Sequence, residues 1–105
     1  MRVLLDHCLD WRLSRALPGH TTKSAGKLGW GRLKDRPLLA RAAARFDVLV
    51  TSDKNLPFQQ DLNKHNVAVA VLDVASNRIE DCLPKMSALL RLLPHLPKRR
   101  ATRIQ

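Results

Sequence analysis

Two aliphatic runs constrain this chain more than any other feature. "VLVT" (48–51) and "VAVAVL" (67–72) contain no charged residue and, apart from the closing Thr51, no polar one. A strand wetted on one side alternates apolar with polar residues. A continuous run this short therefore points to a strand covered on both faces, as in a parallel sheet between helical layers. Helical patterns separate the runs. "RPLLARAAARF" follows Asp35, with Pro37 in the first turn where its missing N–H costs nothing. "LPFQQDLNKHN" gives a short helix. "RIEDCLPKMSALLRLLPHL" gives a long amphipathic one, with a kink or late start at Pro84. Earlier, "RVLLD" is a short apolar run ending in an acid, and Leu9, Leu13, Ala16 and Leu17 recur at helical spacing until Pro18-Gly19 stops them. "HTTKSAGKL" reads as a weak strand and "GWGRLK" as a loop. The order βα(β)αβαβα predicts an α/β protein: a three-layer α/β/α fold with a mainly parallel sheet of four to five strands.

With 105 residues the chain is expected to form one domain over 1–95, followed by a flexible basic tail over 96–105. No apolar stretch is long enough to span a membrane, and acids interrupt the opening residues where a signal peptide needs an apolar core, so a cytoplasmic protein is expected. Cys8 and Cys82, far apart and without ligand spacing, read as reduced thiols. His7 and Cys8 do not read as a ligand pair, because adjacent residues on a regular element point different ways.

The charge balance is more specific. Nineteen Lys and Arg against nine Asp and Glu leave +10 at neutral pH, a field that favours polyanions. Part of it lies in "PKRRATRIQ", where Lys98, Arg99, Arg100 and Arg103 form either a solubilising end or an arm that contacts phosphates.

Against that basic background the few acids stand at strand ends. Asp6 closes the first run, Asp53 follows "VLVTS", and Asp73 closes "VAVAVLD". In an open parallel sheet, ligands bind in the crevice outside the carboxyl ends of the strands. If the first and third strands are neighbours, Asp6 and Asp53 come close there and Asp35 joins them from the side. Clustered carboxylates with water in the remaining positions suit Mg²⁺ or Mn²⁺, which activate water and steady an in-line phosphoryl displacement. Each acid also has a plainer use. Asp35 and Asp6 suit helix caps, Asp53 an Asx turn and Asp73 a turn, while Asp10 either reaches the site from one helical turn away or faces solvent. Trp30, flanked by glycines, is either a base-stacking ring or an edge-of-core ring; Trp11 reads as packing. The helix over 78–93 either covers the core or supplies an apolar face for a homodimer.

The succession "VLLDHCLDWRL", "LGWGRLKDRPLLARAAARFDVLVTSDKNLPFQQ" and "VAVAVLD" resembles the small PIN-like family of prokaryotic proteins related to PIN-domain ribonuclease toxins, over residues 2 to about 93. The resemblance implies a PIN-like fold and a Mg²⁺- or Mn²⁺-dependent endoribonuclease, with the toxin half of a toxin–antitoxin pair as its setting and an antitoxin protein as a partner. The family's acids fall on Asp6, Asp35 and Asp53, the expected metal-binding and catalytic residues. Arg32, Lys34, Lys54, Lys98, Arg99 and Arg100 are expected to hold RNA. Where many relatives carry Glu after the first Asp, this chain has His7, followed by Cys8 in place of Asn. That departure motivates an alternative, a catalytically inactive PIN-like module that binds nucleic acid or protein.

Overall fold

Val3, Leu4 and Leu5 are all fully buried, yet they serve different cores. Successive side chains on a strand point to opposite faces, so a run without polar residues feeds two layers at once. In the computed structural model, which describes residues 1–105, β1 (Arg2–Leu5), β2 (Thr21–Ser24), β3 (Val48–Thr51), β4 (Ala68–Leu72) and β5 (Ala101–Ile104) form one sheet in the order β2-β1-β3-β4-β5. Every pairing is parallel. On one face Val3, Leu5, Val48, Val50, Ala70 and Leu72 pack with Cys82, Met86 and Leu89 of α3 (Ile79–Leu92) and with Leu13 of a 3-10 helix at Trp11–Ala16. On the other, Leu4, Leu49 and Val69 meet Leu38, Leu39 and Ala42 of α1 (Asp35–Arg45) and Leu56 of the short α2 (Leu56–Gln59). The expected three layers and parallel sheet are present, with five strands.

Two expectations change, at the segment after β1 and at the tail. The segment after β1 is a 3-10 helix instead of an α-helix. Asp10 caps it by accepting the Arg12 N–H, and Pro18-Gly19, with Gly19 at φ 83°, follows its end after about two turns. The long helix over 78–93 spends its apolar stripe in the core, leaving only Leu83 and Leu92 as exposed large hydrophobics on α3.

The second change concerns the tail. Residues 101–104 are not a flexible extension: they pair with β4 from Val69↔Ala101 to Leu72↔Ile104, and Ile104 is fully buried. The apolar and β-branched residues of "ATRI" cover an edge that β4 would otherwise leave open. Lys98, Arg99 and Arg100 lead into that strand and are fastened at the amino edge of the sheet. The Arg99 N–H donates to Val67 O at 3.0 Å, its guanidinium to Asn63 O at 2.8 Å, and Lys98 Nζ lies 3.6 Å from Asp47 Oδ1. Arg99 takes φ 66° to make this turn. No helix is long and apolar enough to cross a membrane.

Candidate functional site

The connection after β1 leads to β2 on one side, whereas β3 continues to β4 on the other. Chains leaving the carboxyl ends of β1 and β3 therefore diverge and open a crevice between them. Asp6 stands at its floor. Its N–H still belongs to the sheet, donating to Val50 O at 2.9 Å, and the residue is 3% exposed. A buried carboxylate needs donors, and Asp6 has three: Thr51 Oγ–H on Oδ2 at 2.8 Å, and the His7 N–H at 2.7 Å and His7 Nδ1 at 2.9 Å on Oδ1. Thr51 Oγ in turn accepts the Asp53 N–H at 3.1 Å. The last residue of β3 thus ties Asp6 to the loop carrying Asp53. Asp53 makes the Asx turn expected of it, accepting the Asn55 N–H on Oδ1 at 2.9 Å.

Asp35, the first residue of α1, enters from the side. Its carboxyl is pushed above the ordinary carboxylate range, first by burial, then by the negative charges of Asp53 and Asp6, with His7 acting weakly the other way. The N-terminus of an α-helix favours an ionised acid, whereas burial and the two neighbouring charges act against ionisation here. No hydrogen bond to the carboxylate offsets them.

The acids of β1, β3 and α1 line one cleft of about 340 Å³ together with His7, Cys8, Ser52 and Asn77. No Lys or Arg reaches its lining, in a chain carrying nineteen of them. Ser52 Oγ donates to Asn77 Oδ1, and Cys8 Sγ lies 3.3 Å from Ser52 Oγ. Sequence reasoning overlooked Asn77, although it sits in the loop between β4 and α3, a third loop at the carboxyl edge. His7 and Cys8 both border the cleft because the chain turns directly after Leu5, so the alternation of a strand no longer separates them.

In donor chemistry and charge the cleft fits a hard divalent cation: carboxylate, hydroxyl and amide oxygens, with mutual repulsion that a cation relieves. In geometry it is not a closed ligand set, since no three Asp, Glu, His or Cys side chains stand close enough to share one ion. Mg²⁺ does not require such a set, because it keeps several waters and takes one or two carboxylates plus substrate phosphate.

The remaining candidates are dispersed. Asp73 lies outside the cleft, paired with Lys54 Nζ at 3.0 Å and Arg103 Nη2 at 3.5 Å, which hold its carboxyl below the usual range. Lys54 is thereby committed to an internal ion pair. Asp10 is held at about 2 by the Arg12 guanidinium and N–H. Arg32 and Lys34 are exposed just ahead of Asp35. Lys98, Arg99 and Arg100 sit at the amino edge of the parallel sheet, opposite the acids. Trp30 is 7% exposed, edge-on to Phe46, and belongs to the core; Trp11, expected to be packing, is 41% exposed. Cys82 is a buried thiol, its pKa raised by burial. Comparison of the chain with protein-family models, with curated proteins and with solved structures finds no match.

Proposed function

We propose that the protein is a Mg²⁺- or Mn²⁺-dependent endoribonuclease working in the cleft between the carboxyl ends of β1 and β3. The observation that carries this reading is Asp35: a half-buried carboxylate whose ionisation Asp53 and Asp6 oppose, in a cleft that none of the nineteen basic residues lines. An acidic pocket meant only for stability would be neutralised from within, as Asp73 and Asp10 are. The resemblance to PIN-like proteins agrees with it. Asp35 and Asp53 would hold the cation beside the buried charge of Asp6. When bound, the ion supplies neutralisation of phosphate charge and a lowered pKa of water. His7 donates Nδ1–H to Asp6, which leaves Nε2 of the neutral ring as an acceptor for a proton of water or of a ribose hydroxyl. The hydrogen-bonded unit of Asp6, Thr51 and the Asp53 backbone keeps the two strand ends in register.

Purified protein with Mn²⁺ is expected to cut single-stranded RNA. Asp53→Asn, which keeps the turn bond to Asn55 while removing the charge, lowers the rate about 10²-fold or more. Undiminished cutting by both Asp53→Asn and Asp35→Asn would remove the site from consideration. A second reading, a non-catalytic module that binds RNA or protein on the same scaffold, draws on the engagement of Asp6 by three donors and on the open ligand geometry. RNA binding without cleavage in any divalent metal selects it. Growth arrest on expression, relieved by a co-expressed neighbouring protein, would support the toxin–antitoxin setting.

A further inference from the structure

We infer that the chain carries a nucleobase-stacking subsite at Trp11, beside the acidic cleft, and that it selects single-stranded RNA. The inference rests on the reading of RNA as ligand but not on cleavage. Trp11 opens the 3-10 helix and is 41% exposed. Two adjoining hollows, of about 560 and 340 Å³, share Trp11, Ser24 and Lys27 along their walls, and the first shares His7 with the acidic cleft. A continuous track therefore leads from the proposed reaction site to the indole.

The track's charge identifies its occupant. Asp10, the acid on this wall, is neutralised by Arg12, with Nε–Oδ1 at 3.0 Å and Nη2–Oδ2 at 2.6 Å. Lys23, Lys27 and Arg15 have no carboxylate partner. Lys27 Nζ rests 3.7 Å from the indole centroid and Arg15 Cζ 5.1 Å from it. An apolar protein partner would have to strip water from these cations without replacing it. A nucleotide brings a flat base for the ring and phosphates for the cations. Base–aromatic stacking is worth about 5- to 150-fold in affinity, against about 2- to 5-fold for an exposed cation–π contact. A base consequently displaces Lys27 from the ring, and the freed ammonium turns to a phosphate. A duplex has no free base face inside its stack, so the subsite favours single strands. Phe58, the other strongly exposed aromatic, lacks this surrounding: its hollow is bordered by Lys54 and Arg103, both paired with Asp73.

The test uses the full chain carrying Asp53→Asn, so that cutting does not obscure binding, with a short mixed-sequence single-stranded RNA and an abasic ribose-phosphate oligomer of equal length. RNA is expected to quench the indole fluorescence, which the abasic oligomer leaves unchanged; Trp30, the only other tryptophan, is buried. Adding Trp11→Ala weakens RNA binding about 5- to 150-fold and abasic binding less than about 2-fold, and Trp11→Phe restores most of the loss. Unquenched fluorescence on RNA binding, equal losses for both oligomers, or no RNA binding at all overturns the subsite, and the fluorescence result decides even if Trp11→Ala fails to fold. Intact Trp11 effects in a protein that never cleaves RNA would remove the ribonuclease reading alone.

Discussion

Replacing Thr51 by valine removes one hydroxyl and almost no volume, which makes it a direct measure of how the two strand ends are coupled. Thr51 is fully buried; its Oγ donates to Asp6 Oδ2 at 2.8 Å and accepts the Asp53 N–H at 3.1 Å. A hydrogen bond to a charged group contributes about 1.5–3 kcal/mol. The Asp53 amide belongs to a half-buried residue that water can reach, so its loss adds about 0.5–1 kcal/mol. The valine methyl returns up to about 0.8 kcal/mol through apolar burial. The net cost is about 1–3 kcal/mol, a sizeable share of the roughly 5–15 kcal/mol that stabilises such a domain. Thr51→Ser keeps the hydroxyl and loses only a methyl, costing about 1 kcal/mol. In urea, with a slope near 1.5 kcal/mol per molar, the valine midpoint falls by about 0.7–2 M and the serine midpoint by about 0.7 M or less. A cycle with Asp6→Asn should show coupling above about 1 kcal/mol, because both changes break the same bond. A valine variant within about 0.5 kcal/mol of the parent, or additive effects in the cycle, would refute the coupling.

Further outcomes follow from the same geometry. Burial and the charges of Asp53 and Asp6 raise Asp35 above 3.8 in the folded chain, so its contribution to stability is complete below that value and is lost as pH rises through the raised one. Asp35→Asn should therefore match the parent in strongly acidic urea titrations and exceed it at neutral pH, with Mn²⁺ narrowing the gap; a difference independent of pH contradicts this. Ile104→Ala, in the strand that replaced the expected tail, should cost about 2–5 kcal/mol, and a parent-like midpoint would mean that β5 is not docked. If RNA follows the Trp11 track, Lys23→Ala with Lys27→Ala lowers the salt slope of binding by about 1.4, at about 0.7 per phosphate contact. The combined Lys98→Ala, Arg99→Ala and Arg100→Ala variant should leave that slope nearly unchanged, and the opposite ranking would place RNA at the amino edge.

Local sequence was enough to establish the layered parallel architecture. Runs such as "VLVT" and "VAVAVL" admit only two-sided burial, and their alternation with amphipathic helices leaves few connectivities. It was also enough to place Asp6, Asp35 and Asp53 along one edge, because each follows a strand or opens a helix. Tertiary structure decided what those positions mean. Strand order made β1 and β3 neighbours and opened a crevice at their divergence. A long-range hydrogen bond from Thr51 joined two local ones from His7 on Asp6, whereas Asp35 was left unpaired, a distinction that residue type and spacing do not contain. The basic residues of 98–100 masked β5, since strand formation there depends on the open edge of β4, about 30 residues away in sequence. Trp11 departed from the packing expected of it for a similar reason. A ring is buried or exposed according to what packs over it: Trp30 stands edge-on to Phe46 in the core, whereas the exposed ring of Trp11 is faced by Lys27 and Arg15.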